Sequence, residues 1–138
     1  MNQTKYHINH QFADPNSPEN NLESAATIIL IRDVDSIAEV FMIKRATKSN
    51  FGGAWVFPGG TVDNEDSKNN ILDYCQGLDD KEASSILSLN KGGLCYWVAC
   101  VRECFEECGV LLAYRENGSL FKPTLDETNI LNDLRRQL

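Results

Sequence analysis

Arg102-Glu103-Cys104-Phe105-Glu106-Glu107-Cys108-Gly109-Val110 places three carboxylates on one side of a segment whose remaining positions are largely apolar. At roughly 100° per residue, Leu94, Trp97, Val98, Val101, Cys104, Phe105 and Cys108 fall within one arc, and Glu103, Glu106 and Glu107 cluster opposite it. The spacing predicts a helix that buries the first set and projects the acids together, away from the core. Gly109 marks its C-terminal end. Such a cluster is locally unfavourable: like charges at i, i+3 and i+4 repel by about 0.2–0.5 kcal/mol per pair, and anions near a helix C-terminus oppose the helix dipole. A hard divalent cation, which binds carboxylate oxygens and cancels the repulsion, is the simplest compensation. For the helix taken alone, a solvated polar face is the competing reading.

Upstream lies Phe57-Pro58-Gly59-Gly60-Thr61-Val62-Asp63-Asn64-Glu65-Asp66, an apolar strand end running into a Pro-Gly-Gly turn. The missing side chains there let backbone approach a ligand closely. Together the two segments resemble the Nudix box of the Nudix hydrolases: a glycine, an acid and, after a spacer, R-E-U-x-E-E-x-G-U, where U is a bulky apolar residue. Gly60 matches the opening glycine, Asp66 stands where the family usually has glutamate, and Arg102 to Val110 match the closing run, with Cys104 in the first apolar slot. The spacer, Ser67 to Val101, is far longer than the family's. An insertion at this point, about 67–93, resembles the peroxisomal coenzyme A diphosphatase branch. The resemblance spans roughly Ala25 to Leu112.

The resemblance implies an α+β domain, a Nudix-type mixed β-sheet between helices. It also implies hydrolysis of a nucleoside diphosphate linked to another group, most of all coenzyme A or an acyl-coenzyme A cut at its diphosphate. Mg2+ or Mn2+ held by Glu103, Glu106 and Glu107, with the Gly60 carbonyl, would neutralise the diphosphate and lower the pKa of an attacking water. Arg102 is expected to orient the acids, since at i+4 its planar fork reaches Glu106; a simple surface salt bridge is the alternative. The general base is one of the box glutamates or an acid on a later loop. Arg45, Gly59 and Gly60 form the expected substrate contacts. Lys44, Arg45 and Lys48 precede the glycine-rich turn, where a substrate phosphate would lie, and Lys48 is read as merely solubilising. Arg45 and Ala46 resemble an arginine and a small residue that coenzyme A-cleaving members carry ahead of this turn, whereas Asn50 stands at their second basic position. Nucleotide sugars and dinucleotides stay open as substrates. The branch implies a peroxisomal address, but Arg136-Gln137-Leu138 lacks the pattern of S-K-L.

Composition fits an ordinary domain. With 138 residues, 42% hydrophobic and 24% charged, the chain can bury one core and is too short for two. No apolar run approaches the ~20 residues that span a membrane, and Met1 to Pro18 has no stretch resembling a signal peptide. An intracellular, cytoplasmic setting is the expectation. A net charge of −7 argues against a broad basic surface for nucleic acid, so the expected partner is a small molecule, with neither nucleic acid nor membrane; oligomeric state stays open. The five cysteines form no CxxC pair. Cys100 and Cys108 lie about 12 Å apart on a helix, too far to share a tetrahedral zinc, and free thiols packed as small apolar residues are the expected reading.

Met1 to Glu23 is rich in Asn, Gln, Ser and Pro, so 1–24 is expected to be a flexible arm ahead of a domain at 25–138. Ala26–Arg32 and Val40–Arg45 read as paired strands around a polar turn at Asp33 to Ser36, and Ala54–Phe57 as a third. Acids at Asp79 and Asp80 open a helix that ends before Asn90-Lys91-Gly92-Gly93. Asp63, Glu65 and Ser67 lack the remaining spacing of a calcium loop. Leu111–Tyr114 reads as a strand before a turn at Glu116-Asn117-Gly118. Thr124 and Glu127 read as a capping box for a final helix carrying Leu125, Leu131, Leu134 and Leu138. Nudix domains resemble a sheet with more strands and a second large helix after the box, so a shortened C-terminal part is expected. This supports the alternative of a non-catalytic or truncated Nudix-like binding or regulatory module.

Overall fold

A computed structural model describes residues 22–47 and 52–137. Most of the expected arm, together with Lys48, Asn50 and Leu138, lies outside the described residues. The chain is a mixed α+β fold. Its strands are β1 (Ala25–Thr27), β2 (Ile31–Val34), β3 (Ile37–Val40), β4 (Ile43–Lys44), β5 (Trp55–Val56) and β6 (Gly59–Thr61). A 3-10 turn at Asn64–Ser67 leads to helices α1 (Asn69–Leu72), α2 (Asp80–Ile86), α3 (Leu94–Cys108) and α4 (Leu125–Arg135).

Among the described residues the strands form three separate antiparallel ladders, β1 with β6, β2 with β3, and β4 with β5, rather than the single mixed sheet that the resemblance implied. The expected hairpin forms, but with both strands closer to the turn than expected: Ile31 pairs with Val40 and Val34 with Ile37. Asp35 and Ser36 turn it with φ of 50° and 66°, the pair of positive values that matches the right-handed twist of the strands. Arg32 donates from Nε to Glu39 Oε2 at 2.7 Å across the same ladder. Ala26 and Thr27 pair instead with Gly60 and Gly59, and Ile28 N donates to the Pro58 carbonyl at 2.9 Å. The Pro-Gly-Gly stretch expected to be a turn is therefore the start of a strand. Glycine is required there by proximity: a Cβ on Gly59 would sit 2.7 Å from Thr27 Cα.

β1 and β6 pack on α3, and the interior between the elements is made of small residues. Ala26, Ala83, Leu94, Ala99 and Cys104 are buried. Trp97, expected on the buried arc, is 37% exposed, because α3 approaches its neighbours through Ala99 and Cys104 instead. Leu111–Tyr114 is not a strand; an isolated bridge of Tyr114 with Leu120 closes the turn.

The segment read as an insertion is tied into α3. Asp79 caps α2, accepting from Glu82 N at 2.8 Å. From that helix the Asp80 carboxylate accepts from Gly92 N and Leu94 N, each at 3.0 Å, and the Ser84 hydroxyl oxygen accepts from Gly93 N at 2.8 Å. Gly93, at the N-cap of α3, offers no side chain of its own, so α2 supplies acceptors for donors that helix starts leave unpaired. The backbone donors of Leu94 and then Gly92 hold the Asp80 carboxyl below its usual range.

At the other end, the capping box forms as expected: Glu127 N donates to Thr124 Oγ1 at 3.3 Å and Thr124 N to Glu127 Oε2 at 2.7 Å. Arg115 adds a forked pair to Glu127 at 3.0 and 2.9 Å, its guanidinium lying 4.7 Å from the centre of the Phe121 ring. The Arg115 pairing first, and the Thr124 N–H second, hold the Glu127 carboxyl at about 2, against an ordinary 4.5. A carboxyl lowered in this way adds stability that is fully present above its unfolded value and is lost as pH falls toward the folded one. The difference in urea midpoint between the native chain and Glu127→Gln should therefore be present at neutral pH and fade as pH falls from 4.5 to about 2. A difference independent of pH would show that the pairing contributes nothing.

Candidate functional site

The two halves of the sequence motif meet. From the middle of α3, Arg102 donates through Nε to Asp66 Oδ1 at 2.9 Å and through Nη2 to Asp66 Oδ2 at 3.0 Å. Nη2 also donates to the Thr61 carbonyl at 2.8 Å. Asp66 is 2% exposed and accepts as well from Asp63 N at 2.8 Å. Its burial leaves no water to replace those donors. The pairing with Asp66, ahead of that with Glu103, raises the Arg102 pKa far above its ordinary value despite partial burial, so the residue stays charged at any working pH.

The remaining Arg102 nitrogen serves the acids. Nη1 donates to Glu103 Oε1 at 2.9 Å and to Glu106 Oε2 at 3.3 Å, which is the i, i+4 reach expected from the sequence. The acids are not all turned to solvent, however. Side-chain exposure is 15% for Glu103, which lies against Gly60 of β6, and 28% for Glu106, which Arg102 holds. A Cβ on Gly60 would stand 2.6 Å from the Glu103 Cδ. Gly59 N donates to Glu107 Oε2 at 3.0 Å. Gly59, Gly60, Arg102, Glu103, Glu106 and Glu107 are thus brought together.

Arg45 lies at a distinct edge of the same region. With Thr27, Met42, Trp55, Val56, Phe57, Gly59 and Glu107 it lines an open cleft of about 430 Å³. Here an exposed cation faces apolar and aromatic walls, with Glu107 linking the cleft to the acidic helix. All five cysteines are free. Cys104 is fully buried, and burial first, then its neighbour Cys108, pushes its thiol up to about 12.

Hard carboxylate oxygens are the donor type that Mg2+ and Mn2+ take, and the Gly60 backbone leaves a cradle beside Glu103 that a methyl group would fill. In that chemical sense the residues suit a hard cation. Their arrangement is a different matter: among the described residues no group of three or more His, Cys, Asp or Glu is set to hold a metal ion. Arg102 forms ion pairs with Glu103 and Glu106.

Two features of the site lay beyond the sequence reading. Asp66 had been matched to the motif without a role, and its burial against Arg102 supplies one. Arg135, at the end of α4, donates to the carbonyls of Glu106 and Glu107, and only the three-dimensional return of α4 reveals it.

The two glycines should respond differently to one added methyl group. Gly60→Ala meets the far end of the Glu103 side chain, which can swing away, so its unfolding free energy should fall by less than about 1 kcal/mol while Glu103 is displaced. Gly59→Ala meets the backbone of β1, which cannot, and should lose about 1–3 kcal/mol. Urea unfolding of both variants decides it; equal losses would show that Glu103 is too firmly held to yield.

Over 100 residues the chain is 33% identical to the acyl-coenzyme A diphosphatase NUDT19 of Xenopus laevis, a match covering 57% of this chain and 26% of that protein. The chain thus spans about a quarter of the length of this relative. No family model matches, and no solved structure matches. The similarity supports a Nudix-like relationship.

Proposed function

We propose that this chain carries the acidic helix of a Nudix-type hydrolase that uses Mg2+ or Mn2+ to cut nucleoside diphosphate derivatives, with coenzyme A or its acyl esters as the substrate. The observation that carries the reading is the convergence of the motif's two halves: Glu103 rests against Gly60, Glu107 accepts from Gly59 N, and Arg102 grips Asp66. The similarity to an acyl-coenzyme A diphosphatase points to the substrate.

Glu103, Glu106 and Glu107 would hold the cation, which would supply charge neutralisation for the diphosphate and an activated water. The chain's own residues prepare for that. Asp66 and the Thr61 carbonyl fix Arg102, so the acids leave α3 from a rigid support. Arg45 makes no ion pair among the described residues, leaving its guanidinium available to a phosphate at the mouth of the cleft. Met42, Trp55 and Phe57 offer the apolar wall against which a base or an acyl arm would rest. In this reading 25–138 is the catalytic part and 67–93 an insertion that braces α3.

One observation favours a second reading, a Nudix-like binding or regulatory module without activity: the ion pairing of Glu103 and Glu106 by Arg102 already satisfies the acids. The two readings separate on a single set of proteins. Under the first, the native chain with Mg2+ cleaves coenzyme A to 3′,5′-ADP and 4′-phosphopantetheine, seen by mass spectrometry, and Glu106→Gln and Glu107→Gln each abolish cleavage and Mn2+ binding without unfolding. Under the second, no product forms, yet coenzyme A at 100 times its dissociation constant raises stability by about 2.7 kcal/mol. Unchanged Mn2+ affinity in both glutamine variants would end the metal assignment.

A further inference from the structure

We propose that Arg135 is a positioning residue for the acidic end of α3, an inference that rests on the metal-dependent reading above and assigns that site a further part. The last four carbonyls of an α-helix have no partner within the helix. In α3 two of them belong to the residues whose side chains matter most, Glu106 and Glu107. Arg135 Nε donates to the Glu106 carbonyl at 2.7 Å, and Arg135 Nη2 donates to the Glu107 carbonyl at 2.8 Å. A single planar fork thus spans consecutive peptide groups and fixes their orientation, and with it the direction in which the two carboxylates leave the backbone.

The surroundings are built to admit this clamp. Gly109 ends α3 with φ 72° and donates its N–H to the Phe105 carbonyl at 2.8 Å. A Cβ at that position would stand 3.2 Å from Arg135 Nη1, so the glycine both makes the left-handed turn and leaves room for the guanidinium. Arg135 lies in the last turn of α4, and the start of α4 is anchored by the Thr124 cap and the Arg115–Glu127 pair. A cation at this point also offsets the negative end of the α3 dipole, which the glutamates aggravate.

Positioning and charge predict opposite outcomes, which makes the role testable. If Arg135 acted only through its charge, removing it would make the acidic end more negative and tighten binding of a divalent cation. If it positions the last turn, removing it lets Glu106 and Glu107 drift, and a cation site tolerates little drift. Mn2+ alone is the probe, with its dissociation constant read by electron paramagnetic resonance at a temperature where circular dichroism shows every variant folded. Hydrogen exchange at the Glu106 to Gly109 amides is the second readout. Arg135→Ala should weaken Mn2+ binding about 5- to 10-fold and speed exchange at these amides. Arg135→Lys, which keeps the charge but not the fork, should recover only part of the affinity. Arg136→Ala, which removes an exposed arginine paired with Asp133, should change neither readout.

Unchanged or tighter Mn2+ binding by Arg135→Ala would overturn the positioning role, whatever the exchange shows. If the native chain binds no Mn2+, the metal reading itself falls. The exchange comparison then decides the clamp alone: faster exchange in Arg135→Ala sustains it, and unchanged exchange removes it.

Discussion

The forked pair of Arg102 with Asp66 is the constraint on which the rest of the structure depends. It joins the end of β6 and the 3-10 turn to the middle of α3, and the same guanidinium continues to the Thr61 carbonyl, Glu103 and Glu106. Interactions of this kind count for little on an open surface, with a median near 0–1 kcal/mol. Here Asp66 is almost wholly buried and its oxygens are shared between Arg102 and the Asp63 N–H, so loss of the arginine would strand a buried charge, at a cost of about 3 kcal/mol. In a fold with so small an apolar interior, that is a large fraction of any plausible stability.

The size of that interior explains why polar clamps recur. The buried apolar set is mostly alanine and cysteine beside Leu94, which supply little transfer free energy each. Helix α3 is therefore held at three levels by hydrogen-bonding groups from elsewhere in the chain. Asp80 and Ser84 hold its first amides, Asp66 holds Arg102 at its middle, and Arg135 holds its last carbonyls. Each clamp satisfies backbone or charged groups that would otherwise stay unpaired, so the helix is oriented by directional bonds where a larger core would have oriented it by volume.

How much of this was legible in the sequence follows from the range of the interactions. The α3 helix, its Gly109 end, the acidic start of α2, the Thr124 cap and the existence of a hairpin around Asp35 and Ser36 all rest on neighbours within a few residues, and spacing exposed them. The strands of that hairpin were placed several residues too far from its turn. The Arg102 reach to Glu106 was local too. Pairing of β1 with β6 depends on the absence of a Cβ on Gly59, opposite a strand far away in the chain, and glycines read in isolation signalled a turn. The burial of Trp97 was overestimated because periodicity ranks residues by apolarity, whereas the small side chain of Ala99 decided which face came closest. Asp80 and Ser84 looked like ordinary polar residues of a solvated segment; the backbone donors they accept from became visible only when α2 folded back on the start of α3. Arg135 carried no local signal at all.

The way Arg102 divides its donors bears on how the acids would meet a cation. Nε and Nη2 are committed to Asp66 and the Thr61 carbonyl, and Nη1 alone faces Glu103 and Glu106. Of those two contacts the one to Glu106 is the longer, at 3.3 Å against 2.9 Å, and Glu106 is the more exposed of the pair. Were the acids to take up a divalent ion, as proposed, it would compete for a single nitrogen and first for its longer bond, and the bonds of Nε and Nη2 would stay in place. The same guanidinium is a counter-charge that offsets the repulsion between the acids, and it would remain a fixed support if Glu106 turned to a cation. On this account the pairing of the acids with Arg102 is compatible with a cation site, because releasing Glu106 would break one contact, the longer of the two that Nη1 makes, and none of those made by Nε and Nη2.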